Sequence, residues 1–185
     1  FGNDKMNAFQ KSIEHINAEV QKILEKVEKE RVEKAIHLFM TAKRIFIYGT
    51  GRSGLVGKAF AIRLVHLGFQ TFVIGETITA PVQKGDLVVL ISGSGKTIPV
   101  AMTAEIAKRL GAKIISVTAD PESHIARFAD ALILLIPEGK DATLAPLGTL
   151  FEASAWIFLD GVVAELMARK GESEEKMKKR HATLE

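Results

Sequence analysis

The stretch LVVLISGSGKT, residues 87–97, joins an apolar run to a loop rich in serine and glycine. Residues 87–91 have the length and composition of a buried β-strand. Glycines in the loop permit a tight turn whose amides converge, and the hydroxyl groups add short donors to an anion. Pro99 suits the first turn of a following helix. The pattern predicts a phosphate site at a helix N-terminus, formed by Ser92, Gly93, Ser94, Gly95 and Thr97.

Two other interpretations of this loop are available. Gly95-Lys96-Thr97 matches the end of the nucleotide-binding motif G-x-x-x-x-G-K-[ST], but the first glycine of that motif would fall at position 90, which is Leu90 within the strand. The spacing therefore excludes a nucleotide P-loop. The other interpretation is a serine-rich turn that binds no ligand.

A second glycine loop, GTGRSG at residues 49–54, follows the β-rich run RIFIY and precedes a helical segment. It satisfies G-x-G-x-x-G, and Glu76 lies near the end of the next predicted strand, as in dinucleotide-binding folds. A dehydrogenase normally needs a further catalytic domain, for which little chain remains. Side chains in this loop can donate to sugar oxygens, which favours a polyol phosphate over a dinucleotide. The candidate binding residues are Gly49, Gly51, Arg52 and Ser53.

Strands and helices alternate along the chain. Predicted strands at 44–48, 70–74, 87–91, 113–117 and 131–136 are separated by helical segments and are apolar on both faces. This predicts an α/β domain with a five-stranded parallel sheet and helices on both faces. Ligands bind at the carboxyl ends of such strands, so the two loops can face one crevice if their strands are neighbours or flank the switch point.

Helical segments precede and follow this alternation. An apolar stripe beginning at Ile13 predicts an amphipathic helix that packs on other helices or another subunit, with a bend near residues 28–31. A long apolar helix over 149–167 carries Glu152 near its start, and its Trp156 is predicted to lie in the core. We divide the single domain into N-terminal helices (1–42), a ligand-binding core (43–170) and a polar tail (171–185).

Composition narrows the function classes. The chain has 185 residues, is 47% hydrophobic, lacks cysteine and has a net charge of +3. It is long enough for one domain, and without thiols it has neither disulfides nor a thiolate metal site. Basic residues form a run only at 176–180, so a nucleic-acid partner is not expected. Apolar runs are of strand length and the N-terminus lacks a signal-peptide pattern, which predicts a cytoplasmic protein without a membrane partner.

Several motifs together resemble a known family. The motifs are GTGRSG, VIGETITAP, SGSGKT, PLGTLFEASAWIFLDGVVAELM and the terminal RHATLE. They resemble the sugar isomerase (SIS) domain family and, within it, the hexulose phosphate isomerase branch, over the whole chain after the leading residues. The resemblance implies a flavodoxin-like three-layer sandwich, a phosphosugar substrate, a homotetramer and chemistry without a cofactor or metal.

The resemblance also implies an activity and residue roles. The activity is interconversion of D-arabino-hex-3-ulose 6-phosphate and fructose 6-phosphate through a 2,3-enediol, with Glu152 as the base. Without the resemblance, Glu152 could simply complement the helix dipole, and His181 could lie in a disordered end. With it, His181 moves protons and Arg180 binds substrate. Because the tail is polar and is not expected to bury itself on its own domain, we expect both to enter a neighbouring subunit's crevice. His66 and His124 receive no role, and a non-catalytic phosphosugar sensor is the alternative function.

Overall fold

The computed structural model describes residues 7–183, which form seven helices and one five-stranded sheet. The strands are β1 (Ile45–Gly49), β2 (Thr71–Val73), β3 (Leu87–Ile91), β4 (Lys113–Thr118) and β5 (Ala131–Leu134). The helices are α1 (Asn7–Glu25), α2 (Lys29–Thr41), α3 (Gly51–His66), α4 (Ile98–Arg109), α5 (His124–Phe128), α6 (Thr149–Lys170) and α7 (Glu174–Lys178). Residues 1–6, Leu184 and Glu185, which belong to the predicted N-terminal segment and tail, lie outside this range.

The sheet is parallel throughout, in the order β2-β1-β3-β4-β5. This confirms the predicted doubly wound sandwich. The switch point falls between β1 and β3, which pair in register so that Gly49 lies opposite Ile91. The two glycine loops therefore begin side by side at one edge of the sheet, where the predicted crevice belongs.

Both faces of the sheet are buried. Alternate strand residues such as Ile47 and Val89 pack with α2, α3 and α6, whereas Phe46, Val88 and Leu90 pack with α4 and α5 on the opposite face. This two-sided burial explains why the strands read as continuous apolar runs, since side chains of a strand point alternately to the two faces.

The N-terminal helices are part of the same domain. Helix α1 packs along α6, which agrees with the prediction that its apolar stripe contacts other helices. The Ser12 hydroxyl donates to the carbonyl of Leu144 at 2.6 Å, and the amide of Gly139 donates to the buried carboxylate of Glu19 at 2.9 Å. Helix α1 thus fixes the loop between β5 and α6.

No helix within residues 7–183 is both long enough and apolar enough to cross a membrane.

Candidate active site

The glycine loop, residues 49–54, is shaped by close backbone packing. A Cβ on Gly49 would lie 2.8 Å from the carbonyl oxygen of Ile91, and one on Gly54 would lie 2.6 Å from the carbonyl oxygen of Gly49. Gly51 has a φ of +56°, in the left-handed region that favours glycine. The loop therefore brings β1 directly into α3, with the side chain of Arg52 largely exposed and Ser53 half-buried.

The serine loop, residues 92–97, is shaped by hydroxyl groups. Ser92 is buried, its Oγ accepts from the Gly95 amide at 3.1 Å, and it lies 3.3 Å from Oγ1 of Thr97. Ser94 is exposed, and its Oγ accepts from the Lys96 amide at 3.3 Å. The structure thus places all five predicted residues in one loop but engages the Ser92 hydroxyl in folding that loop.

The connection between β4 and α5 supports the serine loop from below. The amide of Ala119 donates to the Gly93 carbonyl at 3.0 Å, and the amide of Ile125 donates to the Gly95 carbonyl at 3.3 Å. Gly95 has a φ of +61°, and a Cβ there would collide with Ser123. The buried Ser123 hydroxyl has no hydrogen-bond partner among residues 7–183. Ser123 was not among the predicted site residues. It is buried directly beneath Gly95 and so supports the serine loop.

Helix α4 begins directly after the serine loop. Thr97 is its N-cap residue but, in the described chain, makes no side-chain hydrogen bond to the helix, and Pro99 lies in the first turn as predicted. The first amides of a helix have no acceptor within the helix and carry a partial positive charge. This end of α4, beside the exposed Ser94, is therefore suited to an anion.

Glu152 lies in the first turn of α6 and forms an ion pair with Arg52 of the glycine loop. Its side chain is 13% exposed, whereas that of Arg52 is 70% exposed. A Cβ on Gly148 would lie 2.9 Å from Oε1 of Glu152, so this glycine leaves room for the carboxylate. The structure therefore joins two predicted site residues from distant parts of the chain.

A cleft of about 370 Å³ opens beside this ion pair, lined by Ile16, Arg52, Leu55, Val56, Thr149, Glu152, Ala153 and Trp156. Trp156 is 47% exposed, so the prediction that it lies in the core is wrong. Apolar residues are spread around the whole circumference of helix α6, so periodicity could not identify which of its faces is covered. The exposed indole forms one wall of the cleft.

The tail packs on its own domain, contrary to the prediction that it cannot. Met177 of α7 contacts the core. Arg180 pairs with both carboxylate oxygens of Glu172, at 3.0 and 3.1 Å, and donates to the carbonyl of His66 at 3.0 Å. The guanidinium group lowers the pKa of the Glu172 carboxyl. Arg180 thus anchors the tail to the end of α3.

His181 stacks on His66 with ring centroids 4.9 Å apart, in a second cleft of about 320 Å³ that also contains Trp156. Arg52 and His66 are fourteen residues apart at opposite ends of α3, which corresponds to about 21 Å along the helix axis. Within one chain, His181 therefore does not lie with Glu152. Neither the predicted catalytic role of His181 nor the substrate-binding role of Arg180 is tested by this arrangement.

Glu76, the acid considered for a dinucleotide ribose, pairs with Lys58 at 2.6 Å on the exposed surface. No group of three or more histidine, aspartate or glutamate side chains within residues 7–183 could hold a metal ion.

This fold and site define a parallel α/β domain with a serine-rich loop suited to an anion and a paired carboxylate at the switch point. The SIS domain model matches residues 38–155, and the chain belongs to the SIS domain family.

Several named proteins and solved structures are similar to this chain over most of its length. The chain is 44% identical to a 3-hexulose-6-phosphate isomerase of Methanocaldococcus jannaschii over 156 residues, covering 84% of this chain and 85% of that protein. It is 39% identical to a protein of the same name from Bacillus subtilis, covering 86% and 89%. A crystal structure of a Methanococcus jannaschii protein, inferred to be a 3-hexulose-6-phosphate isomerase, superposes with a TM-score of 0.87 at 38% identity, covering 95% of this chain and 99% of that one.

Proposed function

We propose that this protein is a 6-phospho-3-hexuloisomerase, which interconverts D-arabino-hex-3-ulose 6-phosphate and D-fructose 6-phosphate. The carrying observation is the pairing of Glu152 with Arg52 at the edge where the serine loop also begins. One loop can hold the phosphate group while the carboxylate reaches the reacting carbons. The named relatives support the choice of substrate.

The proposed reaction moves one proton between adjacent carbons. The Glu152 carboxylate takes the proton from C2 of the hexulose, beside the C3 carbonyl, and the electron pair of that bond forms the C2=C3 double bond while the C3 oxygen takes up a proton from solvent, which gives the 2,3-enediol. Glu152 then returns a proton to C3 while the C2 hydroxyl loses its proton to solvent, which leaves the carbonyl at C2. Arg52 orients the carboxylate and, being largely exposed, can donate to the oxygen on which negative charge develops.

We further propose that His181 acts in a neighbouring subunit. Its place at the far end of α3 keeps it from Glu152 of its own chain, while it is exposed on a second cleft, where it stacks on His66. In this arrangement a neighbour's imidazole exchanges protons with the substrate hydroxyl groups. Arg180 then contributes by holding the tail in place. For Arg180 to contact the substrate, as predicted, it would have to leave Glu172 and the carbonyl of His66.

A homotetramer is supported by two separate exposed apolar surfaces. One lies on α3 and α6 and comprises Leu55, Ile62, Val65, Trp156 and Ile157. The other lies on α4, across the sheet, and comprises Ile98, Met102, Ile106 and Leu110 at intervals of four residues. Two different faces, each packing on its own counterpart, generate a closed tetramer with dihedral symmetry. A cytoplasmic location goes with this function, because charged sugar phosphates do not cross membranes.

Turnover by the purified protein tests the proposal. We expect conversion of fructose 6-phosphate to the hexulose phosphate without added nicotinamide, nucleotide or metal, and no change after exhaustive EDTA treatment. Loss of activity on chelation, with recovery on adding a divalent ion, would contradict the metal-free mechanism. Tight binding of fructose 6-phosphate without any turnover would instead indicate a phosphosugar sensor.

A further inference from the structure

Lys96 is a charged residue of the serine loop to which sequence analysis gave no role. Its Nζ lies 2.8 Å from Oδ2 of Asp120, in the connection that follows β4. The lysine side chain is 68% exposed and the aspartate side chain 30%. The pair therefore sits at the rim of the loop, on its solvent side.

Asp120 is the fixed member of this pair. Its amide donates to Oγ1 of Thr118 at 3.3 Å, and its Oδ1 accepts from the amide of Glu122 at 2.9 Å. The hydrogen bond from Lys96 is the main cause that lowers the pKa of the Asp120 carboxyl. Lys96, by contrast, reaches its partner through a flexible four-carbon stem and can move its ammonium group to another acceptor.

The serine loop keeps its shape without the pair. Gly93 accepts hydrogen bonds from Ala119 and from the Thr118 hydroxyl, at 3.0 and 3.2 Å, and Gly95 accepts one from Ile125. These contacts join the same two segments that Lys96 and Asp120 join. An exposed ion pair adds little to such an arrangement, so maintenance of the loop does not explain the lysine.

The charged side chains of the two loops balance one another, so a bound phosphate would need an additional positive charge. Arg52 is engaged by Glu152, and Lys96 by Asp120, so these four side chains sum to zero. A sugar phosphate brings close to two negative charges to this edge, next to the carboxylate of Asp120. A cation transferred from Asp120 to the phosphate would offset that charge where it arises.

We propose that Lys96 is an additional phosphate-binding residue and that Asp120 competes with the phosphate for it. The inference rests on the proposed function, because it takes the serine loop as the phosphate site. Lys96 then discriminates phosphorylated from neutral sugars, and Asp120 limits the affinity so that product can leave. The two residues have opposite effects on binding, although they form one ion pair.

Calorimetric titration with fructose 6-phosphate tests this inference. Lys96→Met should weaken binding about tenfold, as expected for loss of one charge-assisted hydrogen bond. Asp120→Asn should tighten binding about threefold, because it frees the lysine. The double variant should bind like Lys96→Met alone. Unphosphorylated fructose should bind equally to all four proteins.

Lys113→Met is the matched control, since Lys113 pairs with Asp130 at 3.1 Å at the opposite edge of the sheet. It should leave fructose 6-phosphate binding unchanged. If Asp120→Asn weakens binding as Lys96→Met does, the pair is structural and the inference is wrong. If the wild type binds and turns over fructose 6-phosphate while Lys96→Met is unaffected, the inference fails and the proposed function stands. If the wild type does not bind the sugar phosphate, both fail.

Discussion

The glycine loop and the serine loop follow neighbouring strands in register, yet their side chains have opposite uses. In the glycine loop, Gly49 and Gly54 allow backbone segments to touch, and Arg52 points away to pair with Glu152. In the serine loop, the Ser92 hydroxyl turns inward to fold the loop. A glycine-rich turn after a parallel strand therefore does not by itself determine which ligand the turn binds. What matters is where its side chains and amides point.

This difference assigns the two halves of the proposed reaction. We propose that the glycine loop positions a carboxylate for proton transfer and that the serine loop, with the start of α4, holds the phosphate. Variants of one half should therefore change turnover, and variants of the other should change affinity.

The largest effect is expected for Glu152→Gln. Glutamine keeps the size of the side chain but cannot accept the proton, so turnover should fall by roughly 10²–10⁴-fold while substrate affinity is nearly unchanged. Steady-state kinetics and calorimetry measure the two quantities. Glu165→Gln, on the same helix but paired with Arg169, is the matched control and should have wild-type activity. A large loss of affinity in Glu152→Gln would contradict the proposal that Glu152 serves turnover and the serine loop serves binding.

Removal of residues 180–185 should have the next largest effect, because it removes the His181 that is proposed to enter the neighbouring subunit's site. We expect a chain ending at Lys179 to assemble normally and to be about 100-fold slower, at the lower end for loss of an acid–base group. His181→Asn separates this effect from loss of the Arg180 anchor and should be similarly slow.

Mixed oligomers test whether the tail acts on its neighbour. Truncated and Glu152→Gln chains, unfolded and refolded together, should regain part of the activity, since a mixed interface unites an intact Glu152 with an intact tail. An inactive truncated chain whose mixtures stay inactive would place the tail in its own subunit's site, and a fully active truncated chain would remove it from catalysis.

Ser94→Ala and Thr97→Ala should have the smallest effects, confined to affinity. Each removes a hydroxyl donor to a charged phosphate, which costs about 1.5–3 kcal/mol of binding free energy, or roughly 10–150-fold in Kd. Thermal unfolding should barely change. Unaltered affinity in both variants would dismiss the serine loop as the phosphate site, and the two loops would then not divide binding from proton transfer.

Much of the fold follows from local sequence. Residues 87–91 are apolar without alternation because both faces of β3 are covered, and the loops that follow β1 and β3 contain the glycines that their backbones require. The apolar run after residue 149 likewise predicts a helix, and Glu152 lies near its start.

The pairing of side chains across the fold could not be predicted in this way. Arg52 and Glu152 are 100 positions apart, and nothing local indicates that they meet. Arg180 and Glu172 form an anchor only because α7 folds back onto the end of α3. Lys96 and Asp120 likewise depend on the adjacency of β3 and β4. Such contacts are set by how strands and helices pack in three dimensions, which hydrophobic periodicity does not encode.

Proton exchange is the most direct measure of the central claim that the two loops and Glu152 form one isomerase site. The protein is incubated with fructose 6-phosphate in deuterated water, and the C3 proton is followed by NMR. The account predicts that the wild type replaces this proton with deuterium, and that Glu152→Gln, while still binding the sugar phosphate, does so roughly 10²–10⁴-fold more slowly. Exchange by Glu152→Gln at the wild-type rate would contradict the account, because another group would then be the base.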